Sequence, residues 1–314
     1  MTTKIKFGWR VPDFPLDGSK PAIFRDQMLA SLDPLQESFD SFWVADHFIP
    51  WFAKMDPKTD TYEAWTTLTY LSARFPRLWA GNLVICQSYR PPALLAKMAA
   101  TLQVLTNGHY ILGIGAGWKK DEYLAYGYDF PAPAIRIHQL NEAVQIIRKM
   151  WTQPETTFKG QYYQVEKAIC EPKPNPLPPI MIGGGGKQLT LRVVAEQADW
   201  WNMPGISPEH YEELLGILRQ HCQAAGRKFD AIVKTVATDC VAVAATHQKA
   251  QALADASPFG RDEGAIIGTP DEVSAQLERY TRLGVTHFVL RFADFPDTAA
   301  ASLFAKEVIH RFAA

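Results

Sequence analysis

The chain has 314 residues, and its 32 lysines and arginines nearly balance 33 aspartates and glutamates, giving a formal net charge of −1. It contains no run of basic residues, so we expect no nucleic-acid partner. Its four cysteines lack C-x-x-C spacing, and no run of about 18 apolar residues could cross a membrane. The N-terminus has no apolar signal segment, so we expect a cytoplasmic protein with reduced thiols and no membrane partner.

Strand and helix patterns alternate along the whole chain. Apolar runs predict eight strands, at Lys4–Val11, Phe42–Ala45, Leu78–Cys86, His109–Ile114, Ile180–Ile182, Asp199–Asn202, Ala231–Ala245 and His287–Phe292. Helical periodicity predicts helices at Ala22–Phe39, Tyr62–Phe75, Pro91–Leu105, Arg136–Trp151, Lys187–Gln197, Pro208–Ala225, 268–283 and Thr298–Phe312. Pro34 should break or kink the first helix. Thr157–Val165 resembles a small β excursion.

Eight alternating strand–helix units in about 300 residues are what an α/β protein with a (β/α)8 TIM barrel requires. No low-complexity linker divides the chain, so we expect one domain over residues 1–314. A six-strand doubly wound sheet with an added domain is the alternative. The eight units favour the barrel.

The second strand ends in the most unusual stretch of the chain, where Asp46 and His47 precede the pair Pro50-Trp51. In a barrel, the active face lies at the carboxyl ends of the strands. Histidine exchanges protons near neutral pH, and a neighbouring carboxylate can hold or tune it. Asp46 could instead only cap a loop, but the strand-end position favours a functional pair.

Two glycine-rich stretches also follow strands. Gly183–Gly186 leads into a helix, which exposes backbone N–H groups suited to a phosphate. A tight turn is the simpler explanation, although four glycines exceed what a turn requires. Gly113-x-Gly115-x-Gly117 is not a Rossmann fingerprint, because Trp118 stands where its last glycine would be. Gly115–Gly117 could instead let a flat ligand lie against the backbone.

Other strand ends carry further candidates. We expect Trp9, Trp118 and Trp201, with Trp51, to wall a largely apolar pocket beside Asn202, which suits a hydrophobic or aromatic substrate. The sequence has no H-E-x-x-H motif and no G-x-S-x-G motif, so neither a metal site nor a serine nucleophile is predicted.

Several motifs in this order resemble the bacterial luciferase-like monooxygenase superfamily: VADHFIPW, LGIGAGWKKDEYLAYGYDFP, PKPNPLPPIMIGGGG and IIGTPDEV. Members of that superfamily are (β/α)8 enzymes that use FMN or the deazaflavin coenzyme F420. The resemblance implies a homodimer, and an insertion at roughly 152–179 between strands four and five.

Within the superfamily, DHFIPW is similar to F420-dependent sugar-phosphate dehydrogenases and related reductases. This implies that His47 is catalytic, with Asp46 and Trp51 around the reacting ring. It also implies that Asn82, Leu83 and Val84 press on the back of the ring, often through a non-proline cis peptide. Gly115, Ala116 and Gly117 would seat the cofactor tail, and the phosphate would lie at Gly183, Gly184, Gly185 and Gly186.

One position departs from the sugar-phosphate dehydrogenases, which carry a glutamate acid where this chain has Trp118. Glu122, one helical turn further, is a candidate replacement, but we expect it to be an exposed helix carboxylate.

We therefore predict an oxidoreductase that transfers hydride between F420 and a small organic molecule. One alternative is a monooxygenase that uses reduced FMN from a separate reductase. A second is a non-catalytic flavin-binding subunit, and a metal-dependent hydrolase is a distant further possibility.

Overall fold

The computed structural model describes residues 4–52 and 54–312, in which eight parallel strands close into a barrel. The termini of the predicted domain, at 1–3 and 313–314, lie outside the described residues. In order around the barrel the strands are β1 (Lys6–Arg10), β2 (Ser41–Val44), β3 (Trp79–Asn82), β4 (Tyr110–Gly115), β5 (Ile180–Gly183), β6 (Trp200–Pro204), β7 (Val233–Val243) and β8 (Val285–Phe292). Pairing of β8 with both β7 and β1 closes the ring. The predicted TIM barrel is confirmed.

Helices cover the outside of the barrel between successive strands. They are α1 (Pro21–Leu32), α2 (Ala64–Arg74), α3 (Pro92–Leu105), α4 (Lys120–Ala125), α5 (Pro133–Thr152), α6 (Thr190–Gln197), α7 (Pro208–Ala224), α8 (His247–Ala256), α9 (Pro270–Arg282) and α10 (Ala299–Glu307). The first helix is shorter than predicted because it ends before Pro34, which cannot donate a backbone hydrogen bond within a helix. No helix of the described residues is long and apolar enough to span a bilayer.

Side chains alternate between the barrel interior and the helix layer along each strand. The interior cluster contains Trp43, Ile111, Met181, Ala237 and Val289, one from each of five strands. Their neighbours in sequence, such as Phe42 and Leu290, belong to the main core between strands and helices. This period of two decides which residues at the carboxyl ends can reach a ligand.

Small elements extend the barrel. The strand Ile85–Cys86 continues β3 along β4, and Ile266–Gly268 pairs with β7. Between β4 and β5, Thr156–Lys159 and Gln164–Ala168 form an antiparallel hairpin separate from the barrel sheet. This hairpin lies inside the stretch predicted as an insertion, roughly 152–179.

Candidate active site

A cavity of about 490 Å³ opens at the carboxyl ends of the strands. Its size is typical of sites for small ligands and cofactors. Residues from the ends of β1 to β7 contribute to its wall, among them many of the predicted site residues: Asp46, His47, Trp51, Leu83, Val84, Gly115, Ala116, Gly117, Trp118, Gly183, Gly184, Gly185, Gly186 and Asn202.

His47 is held by a buried carboxylate that the sequence did not lead us to expect. Its Nδ1 lies 3.0 Å from Oε2 of Glu122, whose side chain has no exposed surface. The Tyr89 hydroxyl donates to the same oxygen at 2.9 Å. The backbone N–H groups of Phe48 and Ile49 donate to Oε1 at 2.6 and 3.2 Å. The expectation of an exposed Glu122 was wrong, because these four donors compensate for its loss of hydration.

The charge on Glu122 fixes how the His47 ring is used. Burial alone would raise the pKa of Glu122, but the hydrogen bonds and charge from His47 and the other donors hold it below its ordinary value. Glu122 is therefore ionised at neutral pH and can only accept hydrogen bonds. His47 must then donate through Nδ1, so that in the neutral ring Nε2 carries the lone pair. Because Nε2 has no partner among the described residues and His47 lines the cavity, it can exchange a proton with a ligand.

Asp46 has a different environment from the one predicted. Its fully buried carboxylate accepts two hydrogen bonds from Arg90, at 2.9 and 3.1 Å, and one from the backbone N–H of Cys86 at 2.9 Å. Burial alone would lower the pKa of Arg90, but the charges of Asp46 and Glu63 raise it. Both oxygens of Asp46 are therefore occupied. The carboxylate that holds His47 is Glu122, and Asp46 joins the end of β2 to the segment after β3.

The floor of the cavity is apolar and closely packed. Leu83 and Val84 form it, and the peptide bond between them is cis, as the resemblance implied. A Cβ at Gly115 would lie 2.8 Å from Cγ2 of Val84, and a Cβ at Gly183 would lie 3.1 Å from its Cγ1. A side chain at either glycine would therefore push Val84 into the cavity. Glycine at the ends of β4 and β5 keeps a flat space open above Val84.

The glycine stretch after β5 has free donors at the cavity wall. The N–H of Gly184 donates to the carbonyl of Asn202, whereas those of Gly185 and Gly186 have no partner among the described residues. The following helix starts at Thr190, three residues later than predicted, and Thr190 also lines the cavity. An anionic oxygen at this wall can accept hydrogen bonds from two backbone N–H groups and from the hydroxyl of Thr190.

Of the four tryptophans predicted to wall the cavity, two line it and two do not. Trp118 is 61% exposed at the rim and lies edge-on to His47, with ring centroids 5.7 Å apart, and Trp51 lines the cavity deeper in. Trp9 and Trp201 are 1% and 0% exposed and do not line it, contrary to the prediction. The alternation of each strand directs them outward into the helix layer.

Asn82 also lies outside the cavity lining. Its side chain is buried and accepts a hydrogen bond from the Tyr110 hydroxyl at 2.7 Å, so it supports the floor from behind.

Four charged residues at the cavity wall were not predicted: Arg10, Asp239, Lys119 and Arg136. Arg10 follows Trp9, and the strand period places it inside the barrel when Trp9 points outward. Strict use of that period would therefore have selected Arg10. Asp239 lies within the long strand β7, away from any recognisable strand end, and the sequence offers no comparable signal for it.

Comparison with known proteins identifies the family of the chain. The family described as luciferase-like monooxygenase matches residues 36–262, well over half of the chain. The chain belongs to the luciferase-like monooxygenase family. This confirms the predicted family and, with it, an enzyme of the oxidoreductase class.

Curated relatives align over most of the chain. An F420-dependent glucose-6-phosphate dehydrogenase of Microbacterium testaceum is 28% identical over an alignment of 342 residues, covering 99% of this chain and 98% of the relative. The enzyme of the same name from Kineococcus radiotolerans is 28% identical over 306 residues, covering 87% and 89%.

Solved structures share the fold. An F420-dependent secondary alcohol dehydrogenase in complex with an F420–acetone adduct superposes with a TM-score of 0.80 at 20% identity, over 97% of this chain and 98% of that one. A monooxygenase from Streptomyces bottropensis gives a TM-score of 0.81 at 21% identity, over 98% and 100%. At these identities the likeness shows the barrel alone.

Proposed function

We propose that this protein is an F420-dependent oxidoreductase that transfers hydride between the deazaflavin and an organic substrate. The observation that carries the proposal is the cavity in which His47, held by ionised Glu122, stands beside a flat apolar floor. The curated relatives that align along nearly the whole chain, named as F420-dependent dehydrogenases, support the choice of cofactor.

The residues fit a flat ring with a phosphate-bearing tail. Gly115 and Gly183 leave room for Val84 and so keep a planar space above it, because a Cβ at either glycine would displace Val84 toward the cavity. The N–H groups of Gly185 and Gly186, which have no partner in the part of the chain that the structure describes, would donate to the phosphate. When bound, the deazaflavin supplies the hydride acceptor or donor, and the protein supplies position and electrostatics.

The side chains of this chain then have separable roles. His47 would hold or release the substrate proton at Nε2, and Glu122 would fix the ring and stabilise its protonated form. Trp118 and Trp51 would cover the cavity from the rim and the side and exclude water. Asp46 would keep the end of β2 in place through Arg90.

Titration of the purified protein with F420 and, separately, with FMN tests the proposal. We expect F420 to quench tryptophan fluorescence to saturation, and FMN to have no effect at the same concentrations. The His47→Ala variant should still bind F420 but should lose turnover of it with a panel of alcohols and carbonyl compounds. Tight binding of FMN with no binding of F420 would refute the proposal and favour the monooxygenase alternative.

The homodimer and a separate cofactor reductase stay predictions. Size-exclusion chromatography with light scattering measures the first. Activity of the purified protein with F420 and no added reductase would contradict the need for a separate reductase.

A further inference from the structure

The cavity has a polar wall on the side opposite the glycine stretch. Arg10 at the end of β1 and Asp239 in β7 both line the cavity and form an ion pair with each other. In the closed order of eight strands, β1 lies opposite β5, whose end carries the glycines. Gly183–Gly186 and the Arg10–Asp239 pair therefore face each other across the cavity.

The backbone directs both side chains inward. Gly8 lies against the ring of Trp43 in the barrel interior, so Arg10, two residues on, points to the same side. In β7, Thr235 contacts Met181 and Ala237 packs in the interior cluster, so Asp239 continues that row.

A β-bulge next to β8 adds to this placement. From Thr238 to Val241 the strand β7 advances three residues, while β8 advances two, from Leu290 to Phe292. Bulges of this kind occur next to active sites, where they re-aim a side chain. Asp239 lies inside the bulged segment.

Unpartnered buried atoms concentrate around this pair. Among the described residues, fourteen buried side-chain nitrogens and oxygens have no hydrogen-bond partner, and six of them belong to Arg10, Asp13, Trp51 and Arg291. They are Nε of Arg10, both carboxylate oxygens of Asp13, Nε1 of Trp51, and Nη1 and Nη2 of Arg291. Each such group is costly unless water or a ligand binds it, by about 1–3 kcal/mol. Arg10 and Trp51 line the cavity, so this polar region borders the space that a substrate would occupy.

Negative charges of Asp239, Asp13 and Asp262 already act on Arg10, which argues against an anionic substrate group. Burial and the neighbouring Arg291 lower the pKa of Arg10 to about 10, so the guanidinium stays charged at neutral pH. Asp239 pairs with Arg10 directly, and Asp13 is close enough to act on both arginines. An anion at Arg10 would meet the negative charge of Asp239. An uncharged hydroxyl can donate to Asp239 and also accept from Arg10.

We propose that Arg10 and Asp239, beside Trp51, form a substrate subsite for uncharged molecules that carry two adjacent hydroxyl groups. This inference rests on the proposed function and names its substrate class. It replaces the hydrophobic or aromatic substrate expected from the tryptophans, of which only Trp51 and Trp118 line the cavity.

The subsite holds one hydroxyl while the other reacts. In the oxidative direction, the carbinol carbon gives its hydrogen with the bonding electron pair to F420, and its hydroxyl gives its proton to Nε2 of His47. A ketone or aldehyde remains, with the second hydroxyl still bound between Asp239 and Arg10. In the reverse direction, the carbonyl compound takes up the hydride and the proton.

Three probes with the same ring separate the possible substrate classes: cis-1,2-cyclohexanediol, cyclohexanol and cis-2-hydroxycyclohexanecarboxylate. Binding to the full chain is measured by saturation-transfer NMR without cofactor, and kcat/KM is measured with F420. We expect the diol to exceed cyclohexanol at least about tenfold, since a polar site rejects a ligand that leaves its groups unpaired. Equal binding of diol and cyclohexanol, or preference for the carboxylate, would overturn the proposal.

The double variant Arg10→Met with Asp239→Leu removes the pair without leaving a single buried charge. It should abolish the preference for the diol, while the surface-pair control Arg74→Gln with Asp33→Asn should keep it. If the double variant does not fold, Asp239→Asn keeps the shape of the side chain but removes its negative charge, and should reduce diol binding several-fold. A diol preference that persists without the pair, or that Asp239→Asn leaves unchanged, refutes the subsite. Failure of F420 to bind would instead refute the proposed function, because the NMR measurement does not require it.

Discussion

The substitution Glu122→Gln tests how His47 is held, because it changes charge and donor pattern at almost constant shape. The glutamine oxygen can still accept from Phe48 and Ile49, while its NH2 group replaces the oxygen that accepts from His47 and Tyr89. An amide N–H facing Nδ1 favours the opposite ring tautomer, with the proton on Nε2. The ring then presents a donor to the cavity in place of a lone pair.

The magnitude follows from the bond that is lost. A hydrogen bond between charged partners contributes about 1.5–3 kcal/mol, and each 1.36 kcal/mol corresponds to about a tenfold change in rate. We therefore expect kcat/KM to fall about 10- to 150-fold, mainly through kcat, because the protonated imidazole forms during the reaction. F420 affinity should change by less than about threefold, since Glu122 lies behind His47 rather than on the cavity floor.

The assay combines kinetics with ¹⁵N NMR of the His47 ring, which reports the tautomer directly. Tyr89→Phe is the matched control, because it removes one donor to Glu122 but keeps the charge and the bond to His47. It should cost only a few-fold in rate and leave the tautomer unchanged. An unaltered tautomer or an unaltered rate in Glu122→Gln would refute the positioning role.

The same variant should alter acid stability. The pKa of Glu122 in the folded protein is below its ordinary value of 4.5, so the unfolded chain binds more protons on acidification. The stabilisation is present above that ordinary value and is lost as the pH falls through the folded pKa. Urea unfolding from neutral pH down to about pH 3.5 should therefore show a steeper loss of unfolding free energy in the wild type than in Glu122→Gln. Parallel curves would contradict an ionised, stabilising Glu122.

Gly115→Ala should lower F420 affinity at least about tenfold, since its methyl displaces Val84 toward the cavity. The control Gly216→Ala in α7 meets no atom within 4 Å. It should raise the free energy of unfolding by about 0.5–1 kcal/mol without affecting F420 binding. Fluorescence titration and thermal unfolding measure both, and equal affinities would contradict the packed floor. Trp201→Ala should cost about 3–5 kcal/mol of unfolding free energy as a core truncation. Trp118→Ala should cost under about 0.5 kcal/mol yet weaken F420 binding. A larger loss of unfolding free energy in Trp118→Ala than in Trp201→Ala would contradict the placement of Trp118 at the cavity and Trp201 in the core.

The barrel was predictable because all eight strands have strong apolar runs and nearly regular helical spacers. Asp46, His47 and the glycines could be located for a related reason, since strand ends are recognisable from where an apolar run stops. The positions of the strand ends alone could not predict which tryptophans line the cavity. Trp9 and Trp201 follow the right strands but fall on the outward phase of the two-residue period, while Arg10 and Asn202 fall on the inward phase.

The role of Glu122 could not be predicted from local pattern. The helix α4 that carries it has only six residues, too few for periodicity to define a buried face. Its burial depends on four donors, three of them in the loop after β2 and one on Tyr89, all distant in sequence. Such a contact exists only after the barrel has brought the ends of β2 and β4 together.

The three carboxylates that line the cavity differ in what they can still do. Asp46 has both oxygens occupied by Arg90 and Cys86, and Glu122 accepts four hydrogen bonds, so neither is available to a substrate. Asp239 has only the Arg10 contact at one oxygen among the described residues. The acid missing at Trp118 is thus not restored at the same place. Glu122 supports His47 from behind, and the carboxylate left to meet a substrate hydroxyl is Asp239 in β7, which is why substrate choice and proton transfer should respond to different substitutions.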